Sequence, residues 1–488
     1  MILAQNVNSE SFTNALESAA RAVEVRFGMP TPTQALLYLA AAVMFIFALQ
    51  GMASPKTARR GNLLGAIGML LAIVGAIFFG HESVPIQWGP VLVGVVLGSG
   101  IGAFLALWVQ MTAMPQMVAM FNGFGGLASA LVVLAFTIKA PPAAGQNWEG
   151  SIAGISTLIG WLTLTGSLVA FAKLQEVVIS SKPITFPFQN IANFGLLGGT
   201  VLLIVIWGFF PSWWPLIIPI ALAACALGIL FTIPIGGADM PVVISLLNSY
   251  SGLAAAATGF VLQNSGLIIA GSLVGASGII LTRLMCHAMN RSLANVLFAA
   301  VGQTSSGERG DESRVTSWSA EDAAMSMANA SLVIVVPGYG MAVAQAQHVI
   351  KEMADILENQ GVNVKFGIHP VAGRMPGHMN VLLAEAEVPY EKLCDMDEIN
   401  PEFEQADAVL VIGANDVINP EARKEGNPIS GMPILDVDKA GTVMICKRSL
   451  SPGFAGIDNP LFYADNTAML FGDGKKMITD LVAALKNG

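Results

Sequence analysis

The sequence predicts an α-helical membrane bundle followed by an α/β domain that is built on a parallel sheet. Three observations carry this prediction. Repeated apolar segments fill the first part of the chain, where the stretch from Gln34 to Asn290 contains only 11 Asp, Glu, Lys or Arg residues. Strand-like and helical patterns alternate from Ser331 onward, as they do in parallel-sheet domains. A glycine-rich motif, Val335 to Val343, lies between the first of these strands and the first of these helices.

Composition separates the two parts of the chain. The whole sequence is 54% hydrophobic and only 12% charged, whereas soluble domains have roughly 25% charged residues. Most of the chain is therefore expected to be buried in lipid or in protein. Residues 302–488 hold 14 Lys and Arg against 26 Asp and Glu, a net charge of −12, and an acidic soluble surface argues against nucleic acid as a partner. The cysteines lack metal or redox spacing, so we expect reduced cysteines and no metal site; they are Cys225, Cys286, Cys394 and Cys446.

About nine apolar stretches are long enough to cross a bilayer. Their approximate limits are Ala35 to Gln50, Leu63 to Phe79, Trp88 to Val109, Met117 to Ile138, Ile152 to Ala172, Asn193 to Phe210, Leu216 to Ile235, Val242 to Val261 and Gly266 to Cys286. Basic residues predict the orientation, because cytoplasmic loops carry an excess of Lys and Arg. With the N-terminus outside, Lys139 alone lies in an outer loop, and the inner side receives Lys56, Arg59, Arg60, Lys173, Lys182, Arg283 and Arg291. An odd number of spans then places the C-terminal domain in the cytoplasm.

Polar side chains within the apolar stretches are candidates for a pathway through the bundle, because such groups are costly in lipid and usually face the bundle interior. Interhelical hydrogen bonding alone is the alternative explanation. The residues concerned are Asn122 in the fourth stretch, Thr163, Thr165 and Ser167 in the fifth, and Asn248, Ser249, Tyr250 and Ser251 in the eighth. Asp239 lies just before the eighth stretch, where an acid followed by Pro241 is also a good N-cap arrangement.

The chain divides into four parts: a lead-in (1–33), a transmembrane domain (34–290), a linker (291–328) and a soluble domain (329–488). The lead-in lacks the pattern of a removed signal peptide, and the polar, glycine- and serine-containing run 302–324 is typical of a linker. In the soluble domain we predict strands at Ser331 to Val336, Val362 to Ile368, Ala408 to Ile412 and Thr442 to Cys446, and helices at Met341 to Gln360 and Met379 to Ala384.

The glycine-rich motif is typical of a Rossmann-like dinucleotide site. Gly338 and Gly340 permit a tight turn and close approach of the backbone to a pyrophosphate, and the following helix offers its N-terminal amides. An NAD site usually has an acid about 20 residues further on; this chain has Lys365 to His369 instead. Lys447, Arg448 and Ser449 follow a later strand and suit the 2′-phosphate of NADP, although a solvated turn is the alternative.

Two further loops follow buried strands at the ligand edge of the predicted sheet. They are His369 to His378 and Gly413 to Pro420. In doubly wound sheets the ligand lies outside the carboxyl ends of the strands, so both loops are candidate parts of the site. Their residues also suit ordinary turns, which is the alternative explanation.

From about residue 34 the chain resembles the beta subunit of bacterial proton-translocating NAD(P) transhydrogenase. The segments that carry the resemblance are Gly236 to Pro241, Leu247 to Gly252, Met289 to Ser292, Pro337 to Gln347, His369 to Asn380, Gly413 to Asp416 and Lys447 to Ser449. The resemblance implies a Re/Si-specific enzyme of the inner membrane, active only with an alpha subunit and assembled as a dimer of protomers. NADP(H) would bind to this chain in an inverted orientation, and NAD(H) to the alpha subunit. Hydride would pass between the two nicotinamides while a proton crosses the membrane.

The glycine-rich motif and the family resemblance together predict the site residues. The nucleotide contacts are Gly338, Tyr339, Gly340, Met341, Ala342, Val343, Val371, Ala372, Gly373, Arg374, Met375, Pro376, Gly413, Ala414, Asn415, Asp416, Val417, Gly431, Met432, Lys447, Arg448, Ser449, Gly453, Phe454, Asp473 and Gly474. Asp239, Asn248, Asn122 and Ser167 occupy positions that the family ties to proton movement or coupling. Many relatives have His at position 122 and Tyr at position 454. Because none of the five histidines lies mid-membrane, we expect a partner helix to supply the protonatable group.

The main alternative is a channel or transporter with an NADP(H)-sensing regulatory domain. It would require a selectivity filter or a pair of broken helices, and no filter sequence of the Thr-Val-Gly-Tyr-Gly type is present. A self-sufficient membrane reductase would need a haem, flavin or iron-sulfur pattern, and the sequence has none.

Overall fold

Membrane-length helices form the N-terminal part of the described structure, and a parallel sheet with its helices forms the C-terminal part. The computed structural model describes residues 31–78, 87–140, 147–176, 178–180, 182–237, 239–290, 292–298, 315–427, 429–453 and 455–487.

Nine of the described helices are long and apolar enough to cross a membrane, which confirms the predicted number. They are α1 (Pro32–Met52), α2 (Pro55–Phe78), α3 (Trp88–Trp108), α4 (Met114–Lys139), α5 (Asn147–Gln175), α6 (Gln189–Phe209), α7 (Ile217–Thr232), α8 (Met240–Val261) and α9 (Ser265–Ala288). Several extend beyond the apolar stretches. Helix α2 begins at Pro55 rather than at Leu63, because the basic residues between them have good helix propensity and continue the helix as its polar end.

Helices α5 and α8 lie at the centre of the bundle, where α5 packs against α4, α7 and α8, and α8 against α4, α5 and α9. Glycines permit the closest crossings: a Cβ added to Gly252 of α8 would lie 2.4 Å from the backbone nitrogen of Gly275 in α9. Helix α3 is different, since none of its 21 residues is buried. Within the described part of the chain, its surface is therefore left for lipid or another chain to cover.

The C-terminal part is a seven-stranded sheet whose neighbouring strands are all parallel, in the order β1-β7-β6-β5-β2-β3-β4. The strands are β1 (Thr316–Ser317), β2 (Leu332–Pro337), β3 (Asn363–Ile368), β4 (Leu393–Asp395), β5 (Ala408–Ile412), β6 (Thr442–Lys447) and β7 (Thr467–Phe471). The strand order reverses between β5 and β2, with Val335 opposite Leu410. This reversal is the topological switch point at which doubly wound sheets bind ligands.

Alternate strand residues fill two cores, one on each face of the sheet. Val333 and Val335 face a core covered by helices, whereas Ile334 and Val336 face a core covered mainly by short turns. The remaining helices are α10 (Leu293–Phe298), α11 (Ala320–Ala328), α12 (Tyr339–Ala344), α13 (Gln347–Asn359), α14 (His378–Glu385), α15 (Met396–Ile399) and α16 (Gly474–Asn487). The 3-10 turns are Met111–Ala113, Trp214–Leu216, Tyr390–Lys392, Asn400–Gln405, Asp416–Ile418, Pro420–Arg423, Val437–Lys439 and Pro460–Tyr463.

The long helix predicted from Met341 to Gln360 is wrong, because the structure divides this segment into α12 and α13. Gln345 separates them in the left-handed region, with φ of 50°. Its backbone N–H donates to the carbonyl of Ala342, and its side-chain amide donates to Gln110 Oε1 at 3.0 Å. The local sequence favours a continuous helix and does not predict this break. The break occurs where Gln345 contacts Gln110 of the membrane part.

Several elements of the domain lie outside the predicted strands and helices. Strands β1, β4 and β7 and helix α16 were not predicted, and β1 and β4 are short edge strands of two and three residues. Within the segment assigned to the linker, helix α11 begins with a capping box between Ser319 and Asp322, and it buries Ala323 and Met327 in the sheet's helical core. The packed domain therefore includes residues that precede position 329.

Candidate functional site

Two cavities meet along the carboxyl ends of the strands and form one cleft. The first is lined by Gly237, Asp239, Pro241, Met285, Met289, Gly338, Tyr339, Gly340, Val371, Ala372, Gly373, Arg374, Met375, Gly413, Ala414, Asn415, Asp416, Val417, Ile429, Met432, Gly453 and Ala455. The second is lined by Gly340, Val343, Ala344, Ile412, Gly413, Ala414, Asn415, Cys446, Lys447, Arg448, Ser449, Ser451, Pro452, Gly453, Gly472 and Gly474. The cavities share residues at the switch point, and the first also has walls from α8 and α9 of the membrane bundle.

Gly338 and Gly340 of the glycine-rich motif contact Gly413 and form a glycine seam between the loops that follow β2 and β5. Gly338 N–H donates to Ile412 O at 2.9 Å, and Gly340 N–H donates to Gly413 O at 3.0 Å. A Cβ added to Gly340 would lie 2.5 Å from the Cα of Gly413, which itself has φ of 67°. These positions therefore require glycine because two backbones touch there. The sequence predicted Gly338 and Gly340 from a tight turn and the approach of a pyrophosphate, but not from this contact between two loops.

The loop after β6 makes one end of the cleft basic. Lys447 Nζ donates to Ser451 O at 2.8 Å and lies 4.4 Å from the centroid of the Phe462 ring. Burial lowers the pKa of Lys447 to about 8, although the Asp416 and Asp458 carboxylates act in the opposite direction. An ammonium that is partly desolvated in this way favours an anionic ligand.

Arg448 and Ser449 also line this end, and their partners lie nearby. Arg448 is exposed and pairs with Asp473 at 3.0 Å. The hydroxyls of Ser449 and Ser451 are 2.9 Å apart. Asp473 is therefore placed beside the predicted phosphate pocket as the partner of Arg448, and Gly474 lines the pocket directly.

Arg374 connects the other end of the cleft to the membrane bundle. Its guanidinium lies 4.3 Å from the centroid of the Tyr339 ring. It donates from Nη1 to Leu174 O at 3.0 Å and from Nη2 to Glu176 Oε1 at 2.8 Å, with only 7% of its side chain exposed. Leu174 lies in α5 and Glu176 follows it, so the nucleotide-type domain docks on the end of that membrane helix.

Two histidines stabilise the loop that carries Arg374. His369 donates from Nε2 to Pro433 O at 2.8 Å, and His378 Nδ1 accepts the Arg374 backbone N–H at 3.1 Å. Burial lowers the pKa of each imidazole to about 4, and the Arg374 charge adds to this effect at His378. Both rings are therefore neutral near pH 7 and act as structural hydrogen-bonding groups. Lys365, which precedes His369 on β3, pairs with Glu402 at 2.7 Å.

Asp239 forms part of the membrane-side wall of the cleft. It occupies the N-cap position of α8, where its backbone carbonyl accepts hydrogen bonds from Val242 at 3.1 Å and Val243 at 3.2 Å. Its backbone closes the first turn of the helix, and the residue also lines the first cavity. In the described structure its side chain makes no capping hydrogen bond to α8, so the structure does not support the side-chain N-cap that the sequence suggested.

Within the bundle, the structure brings three of the predicted polar residues together. Asn122 Nδ2 donates to Ser167 Oγ at 3.1 Å, and Ser251 Oγ donates to Asn122 Oδ1 at 2.6 Å. These bonds join α4, α5 and α8 at one point. Asn248 is partly buried on α8 and lies outside this set of hydrogen bonds. The sequence indicated Ser251 as a polar residue, but it gave no signal that Ser251 pairs with Asn122.

Several predicted contacts lie away from the cleft walls. Met341 and Ala342 are buried in the sheet's core. Gly431, with φ of 72°, packs against Asn290, which follows α9. Pro376 does not line either cavity, and Phe454 lies outside the described residues. Several cleft residues were not predicted from the sequence, and only their places near the ends of strands and helices could have indicated them: Gly237, Pro241, Met285, Met289, Ala344, Ile412, Ile429, Cys446, Ala455 and Gly472.

The fold and the cleft define a membrane protein with a dinucleotide-type domain docked on its helical bundle. A family described as the NAD(P) transhydrogenase beta subunit matches residues 34–484. Two curated proteins described as NAD(P) transhydrogenase subunit beta, both from Rhodospirillum rubrum and one from a defined strain, are each 50% identical over 462 residues, covering 92% of this chain and 98% of theirs. The chain belongs to the NAD(P) transhydrogenase beta subunit family, which confirms the resemblance predicted from the sequence. As a beta subunit it implies an alpha-subunit partner, and its membrane helices fit a role in proton translocation.

Proposed function

We propose that this chain binds NADP(H) in the cleft and couples hydride transfer between NADH and NADP+ to proton movement across the membrane. The continuity of the cleft is the observation that supports this proposal most directly. Its basic loop at Lys447 lies at one end, and Asp239, at the start of a membrane helix, lies at the other. A ligand that fills the cleft contacts both parts of the protein.

The chemistry of the cleft fits NADP(H). The desolvated Lys447 ammonium, with Arg448 and Ser449 beside it, would hold the 2′-phosphate. The seam at Gly340 and Gly413 presents backbone without side chains, which suits a pyrophosphate. When bound, the nicotinamide supplies the group that accepts or donates hydride. We propose the inverted orientation that the family resemblance implies.

The proposed proton route uses groups that order hydrogen bonds but do not titrate. Asn122, Ser167 and Ser251 join three helices in the bundle, and we propose that a helix of the alpha subunit supplies the protonatable group beside them. Asn248 would complete this region from α8. Asp239 would respond to the state of the nucleotide, because it lines the cleft and also begins α8.

The soluble domain is proposed to face the cytoplasm of a bacterium, on the inner membrane. It docks on the end of the bundle where α5 ends, through Arg374. That end also carries Lys56, Lys173 and Lys182, as expected for the inner side. We further propose a dimer of protomers, each with an alpha subunit that binds NAD(H).

The requirement for the alpha subunit provides a direct test. Hydride transfer needs two nicotinamides with reacting atoms about 3 to 3.5 Å apart, and the proposal gives this chain one nucleotide site. We expect the purified chain to transfer no hydride from NADH to NADP+, and the alpha–beta complex in proteoliposomes to transfer it with Re/Si specificity while acidifying or alkalinising the lumen. Full transfer by the single chain would contradict the proposal. NADPH that binds to the complex without being oxidised in the presence of NAD+ would favour a channel or transporter with a sensing domain.

A further inference from the structure

Lys173 is a fully buried lysine near the end of α5, with no exposed surface. Its ammonium donates to three backbone carbonyls: Lys182 O at 3.1 Å, Ile235 O at 2.7 Å and Ile233 O. An ammonium has three N–H donors, so these acceptors use all of them. Burying a charge is costly even when it is hydrogen-bonded. A buried lysine at this position therefore indicates a role beyond packing.

The carbonyls that Lys173 binds belong mainly to the segment between α7 and α8. Ile233 is the C-cap residue of α7, where carbonyls lack intrahelical partners and the helix dipole is negative. Ile235 directly precedes Gly236 and Gly237 and is buried in the cluster that also contains Leu174 and Met240. Lys173 thus fixes the segment that carries Gly237 and Asp239 into the wall of the cleft.

The residues after Lys173 bind the soluble domain. Leu174 O accepts from Arg374 Nη1 at 3.0 Å and from Gln116 Nε2 at 3.2 Å, and the Glu176 carboxylate pairs with Arg374 at 2.8 Å. Within four residues, the end of α5 therefore contacts both the loop that leads to Asp239 and the loop that carries Arg374. Lys173 itself does not line the cleft, so it acts on the site only through these neighbours.

We propose that Lys173 is a positioning residue that transmits the state of the nucleotide loop to the start of α8. Its hydrogen bonds to Ile233 O and Ile235 O hold the segment that leads to Asp239 in fixed register with the end of α5, and Arg374 binds that end from the soluble domain. This inference rests on the proposed function, because it takes the cleft to be the NADP(H) site. A capping role alone would stabilise the bundle but would not make the Asp239 segment respond to nucleotide.

Hydrogen exchange measured by mass spectrometry on the full chain tests this proposal without requiring proton transport. We compare Lys173→Met, which keeps the length but loses every donor, with Lys173→Arg, which keeps the charge and the donors. Lys182→Met is the matched control, since it removes an exposed charge whose side chain makes none of these bonds. In the wild type, NADPH is expected to slow exchange both in the loop 371–376 and in the segment 233–239. In Lys173→Met, exchange in the segment 233–239 should be at least about tenfold faster and should no longer respond to NADPH, while the loop 371–376 still does.

The outcomes separate this inference from the proposed function. If NADPH changes exchange in neither segment of the wild type, NADP(H) binding in the cleft is wrong. If NADPH protects the loop 371–376 but the segment 233–239 does not respond in the wild type, the inference about Lys173 is overturned. A Lys173→Met chain that responds like the wild type, or a Lys182→Met chain that loses the response equally, also overturns it. Retention of the response in Lys173→Arg supports it, and this variant still reports if Lys173→Met does not fold.

Discussion

Replacing Lys447 with Ala is expected to weaken NADPH binding strongly while leaving NADH binding nearly unchanged. Lys447 is partly buried at the basic end of the cleft, and NADH offers it no 2′-phosphate to bind. Arg448 lies beside it but is exposed and already pairs with Asp473. Since the ligand must compete with Asp473 for Arg448, and water screens that exposed group, the two cations should contribute unequally.

The magnitudes follow from the hydrogen bonds that a 2′-phosphate would make. A hydrogen bond to a charged group is worth about 1.5 to 3 kcal/mol, and each 1.4 kcal/mol changes Kd by about tenfold. Lys447→Ala should therefore raise the Kd for NADPH by about 10- to 100-fold. Arg448→Ala should raise it by less than about tenfold, because exposed ion pairs contribute about 1 kcal/mol or less.

Isothermal titration calorimetry of the full chain with NADPH and with NADH, at one fixed ionic strength, measures these effects. Fixed salt matters because phosphate contacts are screened. Glu402→Gln is a suitable control, since its partner Lys365 lies on β3 away from the basic loop. The reasoning is refuted if Lys447→Ala weakens NADPH and NADH binding equally, or if Arg448→Ala has the larger effect.

Three further results are expected. Burial lowers the pKa of Lys447 to about 8, so the free site is charged below that pH and must take up a proton to bind NADPH above it. The Kd for NADPH should therefore rise by up to about tenfold per pH unit above pH 8. Lys447→Arg should flatten this pH profile, and a flat profile in the wild type would contradict the assignment. Gly413→Ala should abolish NADPH binding and lower Tm, because its Cβ would lie 2.3 Å from Gly340 Cα. Gly361→Ala, which has φ of 93° but open space around it, should cost only about 1 to 2 kcal/mol in the free energy of unfolding. Thermal denaturation and NADPH titration of both variants show whether they differ. Asp239→Asn and Asn248→Ala should each abolish dye-detected proton pumping by the alpha–beta complex, and Asn248→Ala should do so without changing NADPH affinity because Asn248 does not line the cleft; undiminished pumping in both variants would leave those residues with structural roles only.

The sequence predicts features that depend on local patterns. The nine membrane helices follow from the length and hydropathy of apolar stretches, and strands β2, β3, β5 and β6 follow from short apolar runs beside turn residues. Edge strands such as β1 and β4 are too short to produce such a pattern. Helix α11 was assigned to a linker because it follows and overlaps the polar, glycine- and serine-containing run 302–324, although its capping box was visible in the sequence.

Features that depend on contacts between distant residues could not be predicted in the same way. Gln345 interrupts a segment of good helix formers where its side chain meets Gln110, 235 residues earlier. Ser251 pairs with Asn122 across two helices. The hydrogen bond from Arg374 to the end of α5 depends on how the soluble domain docks on the bundle, and no periodic pattern in the sequence predicts that docking. The sequence identified most of the cleft residues but not the membrane helices that complete its wall.

The glycine seam has a consequence for how cofactor preference can change during evolution. Positions 340 and 413 touch through backbone alone, so almost any mutation there damages the domain itself. The loop from Lys447 to Ser449 is separate, and two of its three side chains make only exposed contacts with their neighbours. Selection could therefore shift the protein between phosphate-bearing and phosphate-free dinucleotides through one loop, while the seam stays invariant. Lineages that diverge in cofactor use should differ in that loop and agree at the seam.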